Sequence, residues 1–76
     1  GERKSQKALY DAYSRKMYAV SLRYAKNQDD ADDILQEAFI KVFKHIGSFR
    51  KESSLYFWIK RIVINTALNY QRSKLY

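Results

Sequence analysis

A near absence of helix-breaking residues constrains this chain more than any other feature of its sequence. There is no proline, and the only glycines are Gly1 and Gly47. Small β-sheet proteins need many turns, and turns depend mainly on glycine, proline and short polar residues. The sequence therefore predicts an all-α fold, and a chain of this length forms one domain at most, here residues 1–76.

Apolar residues at intervals of three and four predict three main helices in a compact bundle. The first helix follows Ser5 as N-cap, and a polar stretch near Ser14 allows it to be bent or split. The second begins at Asn27, Asp29 or Asp30 and ends at Gly47 in the C′ position. The third follows Ser53 or Ser54 and continues to about Arg72. Its predicted core arc is Leu55, Trp58, Ile59, Ile62, Val63, Thr66 and Tyr70.

The charge balance points to a polyanionic partner. Fifteen Lys and Arg stand against eight Asp and Glu, which gives a formal net charge of +7. Nucleic acid is the first expectation and an anionic membrane surface the second. No cysteine is present, which fits a reducing, cytoplasmic compartment. No cofactor or metal site is predicted and no enzymatic activity is expected, because His45 is the only histidine and no nucleophile or phosphate loop is apparent.

Polar residues on the third helix suit a nucleic acid. Arg61, Asn65, Asn69 and Arg72 follow one another at spacings of four, four and three, so they share one side of the helix. Arginine and amide side chains bind phosphates and base edges. The alternative is a polar side that only faces solvent. A separate apolar patch of Phe57, Ile64 and Leu68 is expected to be exposed.

The segment before the third helix strengthens the nucleic-acid interpretation. In "GSFRKESS", Phe49 lies beside Arg50 and Lys51. An exposed aromatic ring flanked by cations can stack on an unpaired base. The alternative is that Phe49 anchors this loop to the core.

Acids concentrate in "DDADDILQEAF" although the chain is basic overall. Asp29 and Asp30 are explained by helix capping and by the helix dipole. Asp33, Gln36 and Glu37 share a side of the helix beyond its first turn, where the dipole effect has faded. They predict an acidic and amide surface for a basic partner.

Two of these segments together resemble region 2 of the extracytoplasmic-function (ECF) sigma factors of bacterial RNA polymerase. They are "DADDILQEAFIKVFKHIGSF" and "SSLYFWIKRIVINTALNYQR", and the similarity extends upstream through "LYDAYSRKMYAVSLRYAKN". The resemblance implies a transcription-initiation domain that docks on the clamp helices of the polymerase β′ subunit. It also implies recognition and melting of the promoter −10 element. The loop and the last helix are expected to hold the non-template strand in single-stranded form. An anti-sigma factor is a further expected partner, and a monomer is expected.

The resemblance assigns residues to both surfaces. The expected polymerase-binding residues are Asp33, Gln36 and Glu37, with Phe39 and Lys41 as weaker candidates. The expected DNA-binding residues are Ser48, Phe49, Arg50, Lys51, Ser53, Ser54, Trp58, Lys60, Arg61, Asn65, Asn69 and Arg72.

The chain also departs from a complete factor of this family. It carries no second, helix-turn-helix domain for the −35 element and closes on "QRSKLY", so it is expected to be an excised or truncated promoter-melting domain. Two alternatives stay open at this point. One is a free-standing basic helical nucleic-acid-binding domain, and the other is a protein-interaction domain without a polymerase role.

Overall fold

The structure, a computed structural model, describes residues 2–50 and 54–75. Within these residues there are three α-helices and no strand. The helices are α1 (Glu2–Tyr24), α2 (Gln28–His45) and α3 (Leu55–Leu75), and a short 3-10 turn over Ile46–Ser48 follows α2. Each helix packs against the other two. The predicted all-α bundle of three main helices is therefore confirmed.

The first helix begins earlier than predicted and is continuous. It extends from Glu2 to Tyr24, so Ser5 lies inside the helix rather than at its N-cap, and the helix is not split at Ser14. The prediction of Ser5 as N-cap was therefore wrong, and the alternative of a split helix does not occur. The polar stretch is compatible with a continuous helix because Arg15 and Lys16 are exposed to solvent, while Met17 on the apolar side is buried in the core.

The start of α2 is fixed by the predicted asparagine cap. The Asn27 side-chain oxygen accepts a hydrogen bond from the Asp30 backbone N–H at 2.8 Å. Asp29 and Asp30 occupy the first turn, where negative charge complements the positive end of the helix dipole. One of the three proposed capping residues is thus confirmed, and it is Asn27.

The end of α2 differs from the prediction. No glycine in the described part of the chain has a positive φ, so Gly47 does not form the left-handed C′ cap. Instead, the chain tightens into the 3-10 turn, in which the Phe49 N–H donates to the Ile46 carbonyl at 3.1 Å. Tightening the last turn is another way of satisfying carbonyl groups at a helix end.

The third helix begins after Ser54, whose carbonyl accepts the first helical hydrogen bond, from the Trp58 N–H, at 3.0 Å. It continues to Leu75, beyond the predicted end at Arg72. The other proposed cap, Ser53, lies outside the described residues.

The core lies where the three helices meet, around the ring of Phe39. This ring contacts Tyr10 of α1, with centroids 4.9 Å apart, and Phe43 of α2, with centroids 5.8 Å apart. The buried apolar residues are Met17, Val20, Ala31, Ile34, Leu35, Ala38, Phe39, Val42, Ile59, Val63 and Ala67. Burial of a large apolar side chain contributes about 1.5–3 kcal/mol. This set therefore supplies most of what holds α1, α2 and α3 together.

Buried polar groups are satisfied locally or across helices. Ser21 donates to the Met17 carbonyl at 3.0 Å, and Thr66 donates to the Ile62 carbonyl at 2.7 Å. Among the described residues, no buried side-chain nitrogen or oxygen lacks a hydrogen-bond partner. Within the same residues, none of the helices has the combination of length and apolar character that crossing a bilayer requires.

Candidate functional site

The most distinctive surface of α3 is a shallow groove. It is lined by Phe57, Lys60, Arg61, Ile64 and Asn65, which recur every three or four residues and so share one side of the helix. Phe57 is 63% exposed although it is a large aromatic residue. Arg61 and Asn65 are also exposed. The groove thus combines an open aromatic ring, two cations and an amide, and α3 contains no acidic residue. We refer to these five residues as the α3 groove.

The remaining predicted residues of this helix continue the same side or flank it. Asn69 and Arg72 are exposed, and their spacing places them beyond Asn65 on the polar side of α3. Leu68, which is 50% exposed, lies between them and the groove. Trp58 is different, because it is half-buried and packs against the core. Its predicted place in the core arc of α3 is therefore confirmed.

The loop before α3 is connected to the helix by an aromatic pair. The Phe49 and Trp58 rings have centroids 5.3 Å apart and an interplanar angle of 51°. Phe49 is half-buried, whereas Ser48, Arg50 and Ser54 are exposed. The sequence left two interpretations of Phe49 open, stacking on a base and anchoring of the loop. The structure contains a contact of the anchoring kind. The predicted DNA-binding residues Lys51 and Ser53 lie outside the described residues.

The apolar patch predicted on α3 is only partly separate from its polar side. Phe57 and Ile64 line the same groove as Lys60 and Arg61. Ile64 is half-buried and packs against the core, so its prediction as an exposed residue was wrong. The sequence pattern assigned Phe57 to a separate exposed apolar patch, because periodicity gives the side of a helix but not which neighbours share a groove.

The acidic surface of α2 lies on a different helix from the groove. Asp33, Gln36 and Glu37 are all exposed, as their spacing predicted. Ile40, one turn beyond Gln36 and Glu37, is 67% exposed. We refer to Asp33, Gln36, Glu37 and Ile40 as the α2 face. The sequence analysis did not identify Ile40 as a surface residue, although its spacing of four from Gln36 could have indicated its side.

Two residues of the α2 face are held by tyrosines of neighbouring helices. The Tyr70 hydroxyl of α3 lies 3.0 Å from the Asp33 carboxylate and also 3.0 Å from the carboxylate of Asp30, which is buried. On the other flank, the Gln36 amide donates to the Tyr10 hydroxyl of α1 at 3.2 Å. These contacts restrict the rotamers of Asp33 and Gln36 while leaving both side chains open to a partner.

The two weaker polymerase candidates do not share this position. Phe39 is 2% exposed and lies in the core, so its side chain cannot contribute contact area to an external surface. Lys41 is half-buried, and its ammonium group lies 3.4 Å from the Thr66 hydroxyl of α3. Both residues instead support the packing of α2. The other three polymerase candidates, Asp33, Gln36 and Glu37, all belong to the α2 face.

No metal centre emerges from the described part of the chain, because it contains no group of three or more His, Cys, Asp or Glu residues that could hold an ion. His45 is exposed at the end of α2, beside Lys44. Cations at this position complement the negative end of the helix dipole, so the histidine has a local structural explanation.

Comparison with known proteins identifies the family of this chain. Residues 9–75 match the family described as Sigma-70 region 2. The chain therefore belongs to the Sigma-70 region 2 family.

Individual relatives come from the same class of protein. Over 70 residues, or 92% of this chain, it is 41% identical to an ECF RNA polymerase sigma-E factor of Haemophilus influenzae. It is 40% identical to the ECF RNA polymerase sigma-E factor of Escherichia coli K12 over the same share. It is 37% identical to the RNA polymerase sigma-H factor of Pseudomonas aeruginosa, again over 92% of the chain. The match spans 36% of the length of each of these relatives.

Proposed function

We propose that this chain is the promoter-melting domain of an ECF sigma factor and acts in transcription initiation. In this role, the α2 face docks on the clamp helices of the polymerase β′ subunit. The α3 groove and the preceding loop hold the opened non-template strand of the −10 element. The observation that carries the proposal is the separation of the two surfaces, one acidic and one basic, on adjacent helices of a Sigma-70 region 2 domain.

The α3 groove has the chemistry that a single strand requires. An exposed ring such as Phe57 can stack on a base, a contact worth about 1–3 kcal/mol. Arg61 and Lys60 can bind phosphates on either side, and the Asn65 amide can donate to and accept from a base edge. Extruding a base costs a few kcal/mol, so several such contacts are needed at once.

The loop adds a second element to the same surface. Phe49 packs on Trp58, which holds this residue near the first turn of α3. We propose that this loop receives the flipped base, with Ser48, Arg50 and Ser54 as exposed polar contacts, and with Lys51 and Ser53 retained from the family resemblance. Trp58 then acts as the support beneath the loop.

The α2 face has the composition of a protein-docking surface. Ile40 supplies an exposed apolar contact, and Asp33, Gln36 and Glu37 surround it with acceptors and an amide donor. An apolar centre within a polar rim is the usual arrangement of an interface. Acids at the rim would select a basic partner surface and speed its association.

An NMR titration tests the polymerase half of this proposal. The labelled chain is titrated with a fragment that contains the β′ clamp helices, alongside a variant carrying Gln36→Ala and Glu37→Lys. We expect shifts centred on the α2 face that disappear in the variant. A titration without shifts, in a chain that still binds DNA, would leave a basic helical nucleic-acid-binding domain without a polymerase role.

A single-strand binding assay tests the DNA half. Arg61→Ala should weaken binding to a labelled single-stranded oligonucleotide and lower the slope of log K against log salt by about 0.7, the value of one lost phosphate contact. An unchanged slope would remove Arg61 from the DNA surface.

Four finer features complete the proposal. A factor with this role works in the cytoplasm, where the polymerase is, and as a monomer when bound to it. An anti-sigma factor would regulate it most directly by covering the α2 face or the exposed Phe57 and Leu68 side chains. The protein has no catalytic activity of its own in this scheme.

A further inference from the structure

A second basic groove lies between α1 and α3. Its lining residues in the described part of the chain are Lys16, Ala19, Val20, Arg23, Tyr56 and Lys60. Three of them are cations and none is an acid. Lys16 and Arg23 are seven residues apart, two helical turns, and therefore share one side of α1. We refer to this surface as the α1–α3 groove.

Two of the three cations of this groove converge on one aromatic ring. The Lys16 ammonium lies 5.8 Å from the centroid of Tyr56, and the Lys60 ammonium lies 5.9 Å from the same centroid. Both contacts are within the range of a cation–π interaction. Two like charges held at one ring repel each other, so an anion entering the groove would relieve this repulsion as well as bind to the cations.

The α1–α3 groove adjoins the α3 groove at Lys60, which lines both. A strand that lies along Phe57 and Arg61 therefore meets the second groove at Lys60 without leaving the basic surface. The acids of α2 do not interrupt this path, since neither lining set contains one.

We propose that the α1–α3 groove binds backbone phosphates of the same single strand, with Lys16 and Arg23 of α1 as contacts beyond the α3 groove. This inference rests on the proposed function and extends it to a helix that the sequence motifs did not implicate. Lys16 and Arg23 are about 10 Å apart along α1, seven residues at about 1.5 Å each, so they suit two phosphates of one strand rather than a single small anion. The contacts would be independent of base sequence and would add affinity and salt dependence.

The test compares two double variants that remove the same charge. The double variant Lys16→Gln with Arg23→Gln removes both α1 cations from the lining of the groove. Lys7→Gln with Arg15→Gln removes two exposed cations of α1 that do not line the groove. All four side chains are exposed, so both variants should fold, which far-UV circular dichroism verifies. Binding to labelled single strands of about four and about twelve nucleotides, which spans the usual range of site sizes, is measured by fluorescence anisotropy against salt.

For the longer strand, we expect the groove variant to lower the salt slope by about 1.4, from two lost phosphate contacts. Between 50 and 200 mM salt, the unsubstituted chain would then lose about sevenfold more affinity than the variant does. The control variant should change the slope by much less, and the shorter strand should respond little to either change. Equal effects of the two variants on the longer strand would overturn the inference, because they would show a general effect of net charge.

The outcomes also separate this inference from the function on which it rests. If Arg61→Ala lowers the slope while the groove variant does not, the strand binds the α3 groove only, and the α1–α3 groove faces something else, such as an acidic protein segment. If the unsubstituted chain binds neither strand at low salt, the proposed DNA function fails, and the inference fails with it.

Discussion

The Tyr70 hydroxyl connects α3 to two carboxylates of α2, so its removal is a sharp test of this packing. It lies 3.0 Å from Asp30 and 3.0 Å from Asp33. A hydroxyl has one proton and can donate to one carboxylate at a time, so the two contacts are alternatives that share one donor. The substitution Tyr70→Phe removes the hydroxyl and keeps the ring, which packs against the core.

The expected loss follows from the surroundings of the two acceptors. A hydrogen bond to a charged group contributes about 1.5–3 kcal/mol. Asp33 is exposed and can recover a bond from water, whereas Asp30 is 8% exposed and less accessible to water. We therefore expect Tyr70→Phe to lower the free energy of unfolding by an amount near the lower end of this range, about 1.5 kcal/mol. For a domain of this size, that loss corresponds to a fall in Tm of roughly 6–12 °C.

Urea unfolding followed by circular dichroism and by the fluorescence of Trp58 measures this loss. The matched control is Tyr24→Phe, because Tyr24 is another half-buried tyrosine at the edge of the core and its hydroxyl forms no hydrogen bond within the described part of the chain. If the two variants differ by less than about 0.5 kcal/mol, the range of ordinary surface substitutions, the Tyr70 hydroxyl does not stabilise the contact between α2 and α3.

Two further predictions concern the segment between α2 and α3. Phe49→Ala removes one ring of the pair with Trp58, so it should lower the free energy of unfolding by at least about 0.5–1.5 kcal/mol and alter Trp58 fluorescence in a chain that still folds; an unchanged emission spectrum would contradict the pairing. Gly47→Ala should raise the free energy of unfolding by about 0.4–1 kcal/mol, because Gly47 has no positive φ and an added Cβ meets no atom within 4 Å, and a measurable loss in thermal unfolding would instead support a left-handed cap.

The helices were predictable because local signals and the apolar pattern agree. Glycine and proline are nearly absent, and the apolar residues of α2 recur at helical spacing, so the number of helices and the buried side of α2 follow from the sequence. The Asn27 cap was similarly accessible, because its side chain interacts with the backbone only three residues away. Signals that act over a few residues are visible without knowledge of the tertiary structure.

The position of a helix end and the set of residues that line a groove depend on contacts between residues that are distant in sequence. The sequence pattern placed a left-handed cap at Gly47, but the chain enters a 3-10 turn and brings Phe49 onto Trp58. Similarly, the contacts of Tyr70 with Asp33 and of Lys41 with Thr66 each join two helices that are separated by a loop. No periodicity within one helix can reveal such pairs.

Phe39 shows that a residue within the family's polymerase-binding motif need not lie on the surface of its helix. The family resemblance assigned it weakly to polymerase binding, and its motif position is next to Ile40. On the helix, consecutive residues differ by about 100°, so Phe39 enters the core while Ile40 remains 67% exposed. An effect of Phe39 on docking would therefore be indirect, through the packing of α2.

The distribution of charge suggests a second role for the acids of α2 in the proposed function. A chain with a net charge of +7 attracts nucleic acid from all directions. The acids of the α2 face repel a strand from that side, so the same residues that would select a basic protein partner also confine DNA to the α3 groove and the α1–α3 groove. Specificity often depends on such repulsive elements as well as on attractive ones. Reversing the charge at Glu37 should thus weaken docking and, at the same time, strengthen non-specific DNA binding, a combination that loss of a docking contact alone would not produce.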